Sequence, residues 1–525
     1  MTGGGPPFRR VLVANRGEIA VRIVRACHEL GMEAVAVYSD ADAGAMHVRM
    51  ADRAVRIGPA PAAESYLRIE TILEAATASG ADAIHPGYGF LSERAAFARA
   101  VEDAGLVFVG PPSAVIEALG DKVRARAIAA SVGVEGVPGT LEPVTVDRPD
   151  TVAAILAEAE RIGFPLLVKA AAGGGGRGMR RVTKAADLPA ALAAGSAEAA
   201  AAFGDGAVFL EREVRPARHI EVQLLGDDTG RVVALGERDC SSQRRHQKLL
   251  EEAPAPGLTR DERRHLHDLA VRVATAGGLR NAATAEFLRD GGGAFHFLEV
   301  NTRLQVEHGV TELVTGIDIV HEQFRLAAGR PHSAEALAAA DRAADPIGHA
   351  IEARLAAEDP ARDFAPGPGR IERWVMPAGP GVRVDTGLEA GDRVPPDYDN
   401  LVAKIMVHAG DRTTAMDRLR RALDETEIAG IQTTLPFHRF AVRHPGFRAA
   451  DLSIEWVAEA WDGAADRARS VPAAAEAAAR WVATSRPDAT AAPSNRAPSN
   501  PPPTPAAESG WALAGRDAAT DRWPG

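Results

Sequence analysis

Val11-Leu12-Val13-Ala14, followed by Asn15-Arg16-Gly17-Glu18, is the stretch from which the fold can be read. Four consecutive apolar residues predict a strand covered on both faces, as in a parallel sheet. The polar stretch behind them predicts a turn. Ile19 to Leu30 then carries apolar residues at helical spacing, and Gly31 stops the helix. Ala34-Val35-Ala36-Val37-Tyr38 predicts the next strand. Ala83-Ile84-His85 and Val107-Phe108-Val109 predict two more, each behind a helical stretch. Strands and helices in alternation predict a doubly wound α/β domain. The turn at Asn15 is not G-x-G-x-x-G, so dinucleotide binding is not predicted there.

Working outward, a chain of 525 residues holds three or four domains of about 100–200 residues each. A mixed segment with Ala-rich helical stretches follows Gly120. It contains the strand Pro165-Leu166-Leu167-Val168-Lys169 and the loop Gly173-Gly174-Gly175-Gly176-Arg177-Gly178. Between 207 and 300 the pattern turns to strands: Ala207 to Leu210, His219 to Leu225, Val232 to Leu235 and Phe295 to Val300. A second α/β or β-rich unit runs over 345–455, with Gly and Pro turns at 366–369 and 377–381. Behind Gly463 apolar anchors are few, and 485–508 is too poor in them to order, which predicts a disordered linker. No internal repeat is visible.

The net charge of −11 argues against a nucleic-acid binder. No apolar run reaches the length of about 18 residues that a membrane span needs. The start, Met1-Thr2-Gly3-Gly4-Gly5-Pro6-Pro7, lacks the basic and apolar regions of a signal peptide. Cys27 and Cys240 stand far apart and suit a reducing compartment. A cytoplasmic protein is expected.

Of 60 basic residues only five are lysines: Lys122, Lys169, Lys184, Lys248 and Lys404. Lysine is a compact point charge and arginine a planar fork, so a lysine kept against this bias invites a reason. Lys122, Lys169 and Lys248 sit in motif-like surroundings. Lys184 and Lys404 read as leftover surface lysines.

A glycine loop behind a strand that ends in lysine suits a phosphate chain. Backbone N–H groups close around the oxygens and the lysine adds charge. The spacing is not that of a P-loop, because Lys169 precedes the glycines. Glu286 lies on one predicted strand, and Glu299 and Asn301 share one face of another. Magnesium takes oxygen ligands, one or two carboxylates together with substrate phosphates, so Glu286, Glu299 and Asn301 are candidate ligands.

These segments belong to a wider pattern. It includes Ala14-Asn15-Arg16-Gly17-Glu18-Ile19-Ala20, His85-Pro86-Gly87-Tyr88-Gly89-Phe90-Leu91-Ser92-Glu93 and Gly120-Asp121-Lys122. It continues through the 164–179 glycine stretch, Glu237-Arg238-Asp239-Cys240-Ser241 and Gln243-Arg244-Arg245-His246-Gln247-Lys248. Glu251-Glu252-Ala253-Pro254-Ala255-Pro256 and Glu299-Val300-Asn301-Thr302-Arg303-Leu304-Gln305-Val306-Glu307-His308 complete it. From Phe8 to Trp456 the chain resembles the biotin carboxylase subunit or domain of biotin-dependent acyl-CoA carboxylases, in the ATP-grasp superfamily.

The resemblance implies an N-terminal α/β domain over 8–120 and an ATP-grasp domain over 121–330, with a mobile lid at about 137–209. It implies a C-terminal α+β domain over 345–455; beyond the resemblance, composition makes 464–525 an Ala/Pro-rich linker or tail. It implies ATP, Mg²⁺ or Mn²⁺, and bicarbonate. Lys122, Lys169, His219, Gln243, His246 and Gly174, Gly175, Gly176 and Gly178 would hold the nucleotide, with Glu211 to Val214 reading adenine. Glu286, Glu299 and Asn301 would hold the metal. Lys248, Arg303, Gln305 and the Val306 backbone would bind bicarbonate, and Glu307 would be the base. Arg354 would stabilise the biotin enolate, with Tyr88 nearby. Partners would be a biotin carboxyl carrier and a carboxyltransferase, with the chain itself a homodimer. Another ATP-grasp carboxylate ligase, or a nucleotide-binding subunit without turnover, are the alternatives.

No lysine follows Lys404 and none lies between methionines, so the chain is expected to carry no biotin itself. Two departures from the family stand out. Gly309 replaces the usual Pro, which removes a fixed φ beside the base and predicts a looser backbone. Ala170-Ala171-Ala172 leads into the glycine loop where some members have Ser and one more Gly. Cys27, Trp374 and Trp456 read as core and Cys240 as a packed thiol. His265 and His267 read as residues of solvated helix faces.

Overall fold

The computed structural model describes residues 6–140, 142–144, 149–170, 179–203 and 206–485. The opening stretch forms the expected unit. Strands β1 (Arg10–Val13), β2 (Glu33–Ser39), β3 (Arg53–Gly58), β4 (Ala83–His85) and β5 (Val107–Phe108) make a parallel sheet in the order β3-β2-β1-β4-β5. Helix α1 (Gly17–Glu29) follows β1 and buries Ile19, Ala20, Ile23, Val24 and Cys27. The Asn15 side chain holds the turn behind β4, donating to Pro86 O (2.6 Å) and Tyr88 O (2.8 Å). Gly87 has φ +64°, and a Cβ there would meet Asn15 Nδ2 at 2.9 Å. The two sequence motifs at Asn15 and Tyr88 are therefore two halves of one junction.

Strands β6 (Leu166–Ala170), β7 (Arg180–Val182) and β8 (Val208–Arg212) make a small antiparallel sheet in the order β7-β6-β8. Helices Pro149–Ile162 and Leu188–Phe203 cover it. It has a core of its own, built on Ile155, Ala159, Leu166, Val168, Leu192 and Leu210. Gly174, Gly175, Gly176 and Gly178 lie outside the described residues, as does everything from 486 to 525.

The largest sheet carries the site. It contains β9 (Ala217–Gly226), β10 (Val232–Arg244), β11 (Gln247–Ala253), β12 (Asn281–Asp290), β13 (Phe295–Asn301) and β14 (His349–Ala356). Strands Val382–Thr386 and Leu401–Ala409 complete it. The order is β13-β12-β9-β10-β11-β14, then Leu401–Ala409, then Val382–Thr386, antiparallel throughout. The β11–β14 pairing joins the middle of the chain to its C-terminal third in one sheet.

Three expectations need correction. Lys404 is no surface lysine, because its side chain is fully buried. His267 is buried on helix Arg260–Ala276 and bonds Glu237 at 2.8 Å, whereas His265 is exposed. The apolar period of that helix includes position 267, and a buried carboxylate supplies the partner that burial requires. The segment expected to be a linker from 464 begins as a helix, Gly463–Ser485. Its alanines favour helix strongly enough to carry Pro472. Cys27, Cys240 and Trp456 are buried as expected, and Trp374 packs partly buried against the C-terminal core.

Gly309 lies in the first turn of helix His308–Thr315. A Cβ there would stand 2.3 Å from Met406 Sδ, so Met406 occupies the space of a larger residue. Gly309→Pro is expected to destabilise by about 1–3 kcal/mol through overpacking. Shortening Met406 in the same variant should recover part of that loss, as thermal unfolding would measure.

Glu252 is buried and bonds His349 Nε2 at 2.8 Å and Arg412 at 2.7 and 2.8 Å. Burial pushes its carboxyl up, but the bonds from His349 and Arg412 outweigh this and hold it at about 2. A depressed carboxyl contributes stability above its unfolded value of about 4.3, and this is lost as pH falls through the folded value. Urea unfolding across pH should therefore show stability declining below about pH 4.3, with a flatter acid limb in Glu252→Gln.

Candidate functional site

The site forms on one face of the large sheet because its residues stand in register. Glu299 on β13 pairs with Glu286 on β12, Glu286 with Glu221 on β9, and Glu221 with Arg238 on β10. The row therefore carries three carboxylates and one guanidinium across four strands. Directly opposed side chains in a sheet lie close together, so like charges there need compensation. His219 Nε2 meets Glu286 Oε2 at 3.0 Å, and Lys122 Nζ meets Glu299 Oε2 at 2.9 Å. Lys248 Nζ reaches Glu221 Oε2 (2.5 Å), Glu286 Oε1 (3.1 Å) and Glu307 Oε1 (2.6 Å).

Glu307 sits at the centre, fully buried, at the N-cap position of helix His308–Thr315. Lys248 holds one of its oxygens, and Arg354 Nη2 on β14 holds the other at 2.9 Å. Burial raises its carboxyl, but Lys248, then Arg354 and Arg238, outweigh burial and keep it well below the usual carboxylate range. Glu307 is therefore ionised at neutral pH. Arg354 Nε also meets Glu251 Oε1 at 2.5 Å.

Gln305 Oε1 accepts from Arg303 Nη1 at 2.9 Å. Arg303 Nε bonds Glu93 at 2.7 Å, and its Nη2 donates to Asn301 Oδ1 at 3.2 Å. Asn301 Nδ2 donates to Glu286 at 2.9 Å. Lys248, Arg303, Gln305, Glu307, Arg354, His219, Glu286 and Asn301 are thus one connected network, and Glu299 stands beside Glu286 in register, bonded to Lys122. Gln243 is buried, with its Nε2 3.4 Å from His219 Nδ1.

The Arg244-Arg245-His246 run divides its labour. Arg245 and His246 form the exposed turn between β10 and β11, with φ +49° and +66°. Arg244 and Arg245 both bond Asp363 across the hairpin, and Arg244 lies over the Phe364 ring. His246 stands at that turn rather than inside the network. The arginines tie the hairpin to the C-terminal third while Lys248 points into the network.

Lys169 on β6 and Arg126 both bond Glu211 on β8. Val214, half-buried, lies in the short link from β8 to β9. Tyr88 donates its hydroxyl to Glu18.

Sequence reasoning misses three groups. Glu221 lies two residues beyond His219 on one strand face, a spacing that could have found it. Arg238, also unassigned, is fully buried and bonds Glu221, Gln223, Thr311 and Thr284. Glu251 and Glu352 face each other across β11 and β14, fully buried, and no signal within either strand marks that pairing. Burial pushes the Glu251 carboxyl up to about 7, against the pull of Arg354, and burial likewise raises Glu352, against the pull of Lys404.

The oxygen donors Glu286, Glu299 and Asn301, adjacent in register, suit a hard divalent cation such as magnesium. Their carboxylates stand next to the lysines Lys122 and Lys248, where phosphates and metal would share charge.

Comparison with known proteins agrees with this geometry. Residues 121–334 match the ATP-binding domain model of the carbamoyl-phosphate synthase L chain. Residues 7–116 match the N-terminal and 352–459 the C-terminal domain model of biotin carboxylase. The chain is an enzyme, an ATP-grasp ligase. It is 47% identical over 452 residues to biotin carboxylase of Pseudomonas aeruginosa, covering 86% of this chain and 98% of that protein. It is 46% identical to the biotin-dependent acyl-coenzyme A carboxylase alpha3 subunit of Mycobacterium leprae, over 86% of this chain and 75% of the relative. The crystal structure of a Campylobacter jejuni biotin carboxylase complex superposes with a TM-score of 0.81 at 41% identity, covering 86% of this chain and 99% of that one. The chain belongs to the biotin carboxylase family.

Arg238→Ala leaves Glu221 buried beside two other carboxylates. It is expected to cost about 3–5 kcal/mol, the range for breaking a buried pair. Denaturant unfolding checks this, with exposed Arg264→Ala as the control, for which the expected change is within about 0.5 kcal/mol.

Proposed function

We propose that this chain carboxylates biotin presented on a separate carrier protein, using ATP and bicarbonate, as the first half-reaction of an acyl-CoA carboxylase. The observation that carries the reading is Glu307, buried and ionised between Lys248 at 2.6 Å and Arg354 at 2.9 Å. A carboxylate so held is a base only where its cations can turn to another anion. Lys248 and Arg354 are the cations that bicarbonate and the biotin ureido oxygen draw on, so substrate binding frees the base it needs.

Lys248, Arg303, Gln305 and the Val306 N–H bind bicarbonate, and Glu307 removes its proton. The resulting carbonate oxygen attacks the γ-phosphorus, the bond to the β,γ-bridging oxygen breaks, and carboxyphosphate and ADP form. Such a transfer needs chiefly positioning and neutralised charge. Carboxyphosphate breaks into CO₂ and phosphate, and the phosphate takes the ureido N–H proton. Arg354, with Tyr88 nearby, holds the enolate-like ureido oxygen while nitrogen attacks CO₂. Glu286, Glu299 and Asn301 would hold magnesium, which neutralises phosphate charge when bound. Lys122, Lys169, His219, Gln243 and His246 serve the nucleotide, with Glu211 to Val214 at the adenine.

In this reading 8–120, 121–330 and 345–455 are the working units, and 137–209 closes over ATP. The chain works in the cytoplasm as a homodimer, beside a carrier and a carboxyltransferase. No helix among the described residues is long and apolar enough to cross a membrane.

Lys248→Ala and Glu307→Gln are expected to lower bicarbonate-dependent ATP cleavage at least ~10²-fold while nucleotide binding persists. Turnover like that of the unsubstituted enzyme would overturn the assignment. Hydrogen exchange over 137–209 should slow on adding ATP, and unchanged exchange there would remove the lid. A carrier from outside the chain should be required, so streptavidin should detect no band at 55.1 kDa.

A further inference from the structure

Lys404 lies on the last but one strand of the large sheet, in the C-terminal third of the chain, and its side chain is fully buried. Its ammonium stands 2.9 Å from Val306 O, 3.2 Å from Glu18 Oε1 and 3.8 Å from Asp385 Oδ2. The three oxygens come from three separate parts of the chain. Glu18 belongs to the N-terminal unit and in turn accepts from Tyr88. Val306 belongs to the turn that ends in Glu307. Asp385 is the register partner of Lys404, and Arg354 is its partner on the other side.

Val306 O belongs to the peptide that links Val306 to Glu307. Helix His308–Thr315 starts just beyond, and Val310 N–H donates to Glu307 O at 3.3 Å. A buried carbonyl must find a donor, and here Lys404 supplies it. The C-terminal third therefore reaches Glu307 twice, by Arg354 on its carboxylate and by Lys404 on its backbone.

The residue type fits the task. An ammonium offers three donors from one atom; here Val306 O and Glu18 Oε1 lie within bonding distance and Asp385 Oδ2 adds an ion pair at 3.8 Å from a third direction. A guanidinium directs its donors in a fixed plane and cannot meet three acceptors from a single point. In a chain where 55 of 60 basic residues are arginine, lysine stands at this position.

We propose that Lys404 is a positioning residue for bicarbonate activation: it fixes the Val306–Glu307 peptide so that the Gln305–Val306 anion contact and the Glu307 carboxylate keep one geometry. It does not touch the reacting atoms. The proposal rests on the functional reading above. Its signature is a selective effect on bicarbonate, because the nucleotide and metal groups lie on helix Lys122–Ser131, on β6, β8, β9, β10, β12 and β13 and in the links and turns beside them, none on this strand or its two neighbours.

The test is steady-state ATP cleavage by full-length Lys404→Arg and Lys404→Met, with bicarbonate and ATP varied separately. Displacement of a positioned group by about 1 Å can cost ~10²-fold. The half-saturating bicarbonate concentration should rise at least ~10-fold in both variants, with that for ATP within about twofold of the unsubstituted enzyme. Lys404→Arg keeps the charge, so its failure to restore bicarbonate use would separate geometry from charge. A second variant, Lys404→Met with Glu18→Gln, removes one buried carboxylate left unpaired and guards against misfolding, with Glu18→Gln alone as its reference. An unchanged bicarbonate requirement in any folded Lys404 variant overturns the proposal. An equal rise for ATP and bicarbonate, restoration by arginine, or failure of all Lys404 variants to fold overturns it too, leaving Lys404 a purely structural role. An unsubstituted enzyme whose ATP cleavage ignores bicarbonate would instead defeat the functional reading.

Discussion

The structure depends on neutralising charge that has been taken out of water. A buried unpaired ion costs several kcal/mol, and mutual attraction offsets this only with good geometry. Here the large sheet brings Glu221, Glu286, Glu299, Glu251, Glu352 and Asp385 to one inner face. Lys248, Arg238, Arg354 and Lys404 sit among them. Strand register decides which charge meets which. A slip of one residue would turn every one of these side chains to the opposite face. The fold and the electrostatics of the site are therefore one constraint.

The same constraint explains why carboxylates of one chemistry differ in character. Glu307 has cations on both oxygens and stays charged. Glu352 lies opposite Glu251 with weaker compensation, and burial raises it. Neighbouring groups whose environments push them apart can serve different purposes within one pocket. The arginine-rich hairpin adds a mechanical element, because Arg244 and Arg245 clamp on Asp363 while Lys248 reaches inward.

Much of this is legible in sequence, for reasons of period and spacing. Continuous apolar runs place β1, β2, β4 and β5, and a strand period of two puts Glu299 and Asn301 on one face. The motifs single out Lys248, Glu307 and Arg354, which the structure joins. What is not legible depends on pairing between distant strands. Nothing near Lys404 reveals that Glu18, Val306 and Asp385 surround it, and nothing near Glu251 reveals Glu352. His267 escapes a local reading because its partner Glu237 lies on another element. The helix at 463–485 escapes one because low apolar content there competes with the helical preference of alanine, and the preference wins.

The distribution of the five lysines has a practical side. Lys404 is fully buried, Lys248 nearly so, and Lys169 is partly covered beside Glu211. Lys122 is 44% exposed but bound to Glu299, and Lys184 stands openly at the surface. A chain of 525 residues thus offers very few side-chain amines to solvent. Reagents that acylate side-chain amines, and supports that couple through them, would find Lys184 and then Lys122. Attachment chemistry aimed at carboxylates would leave Lys122 and Lys169 unmodified.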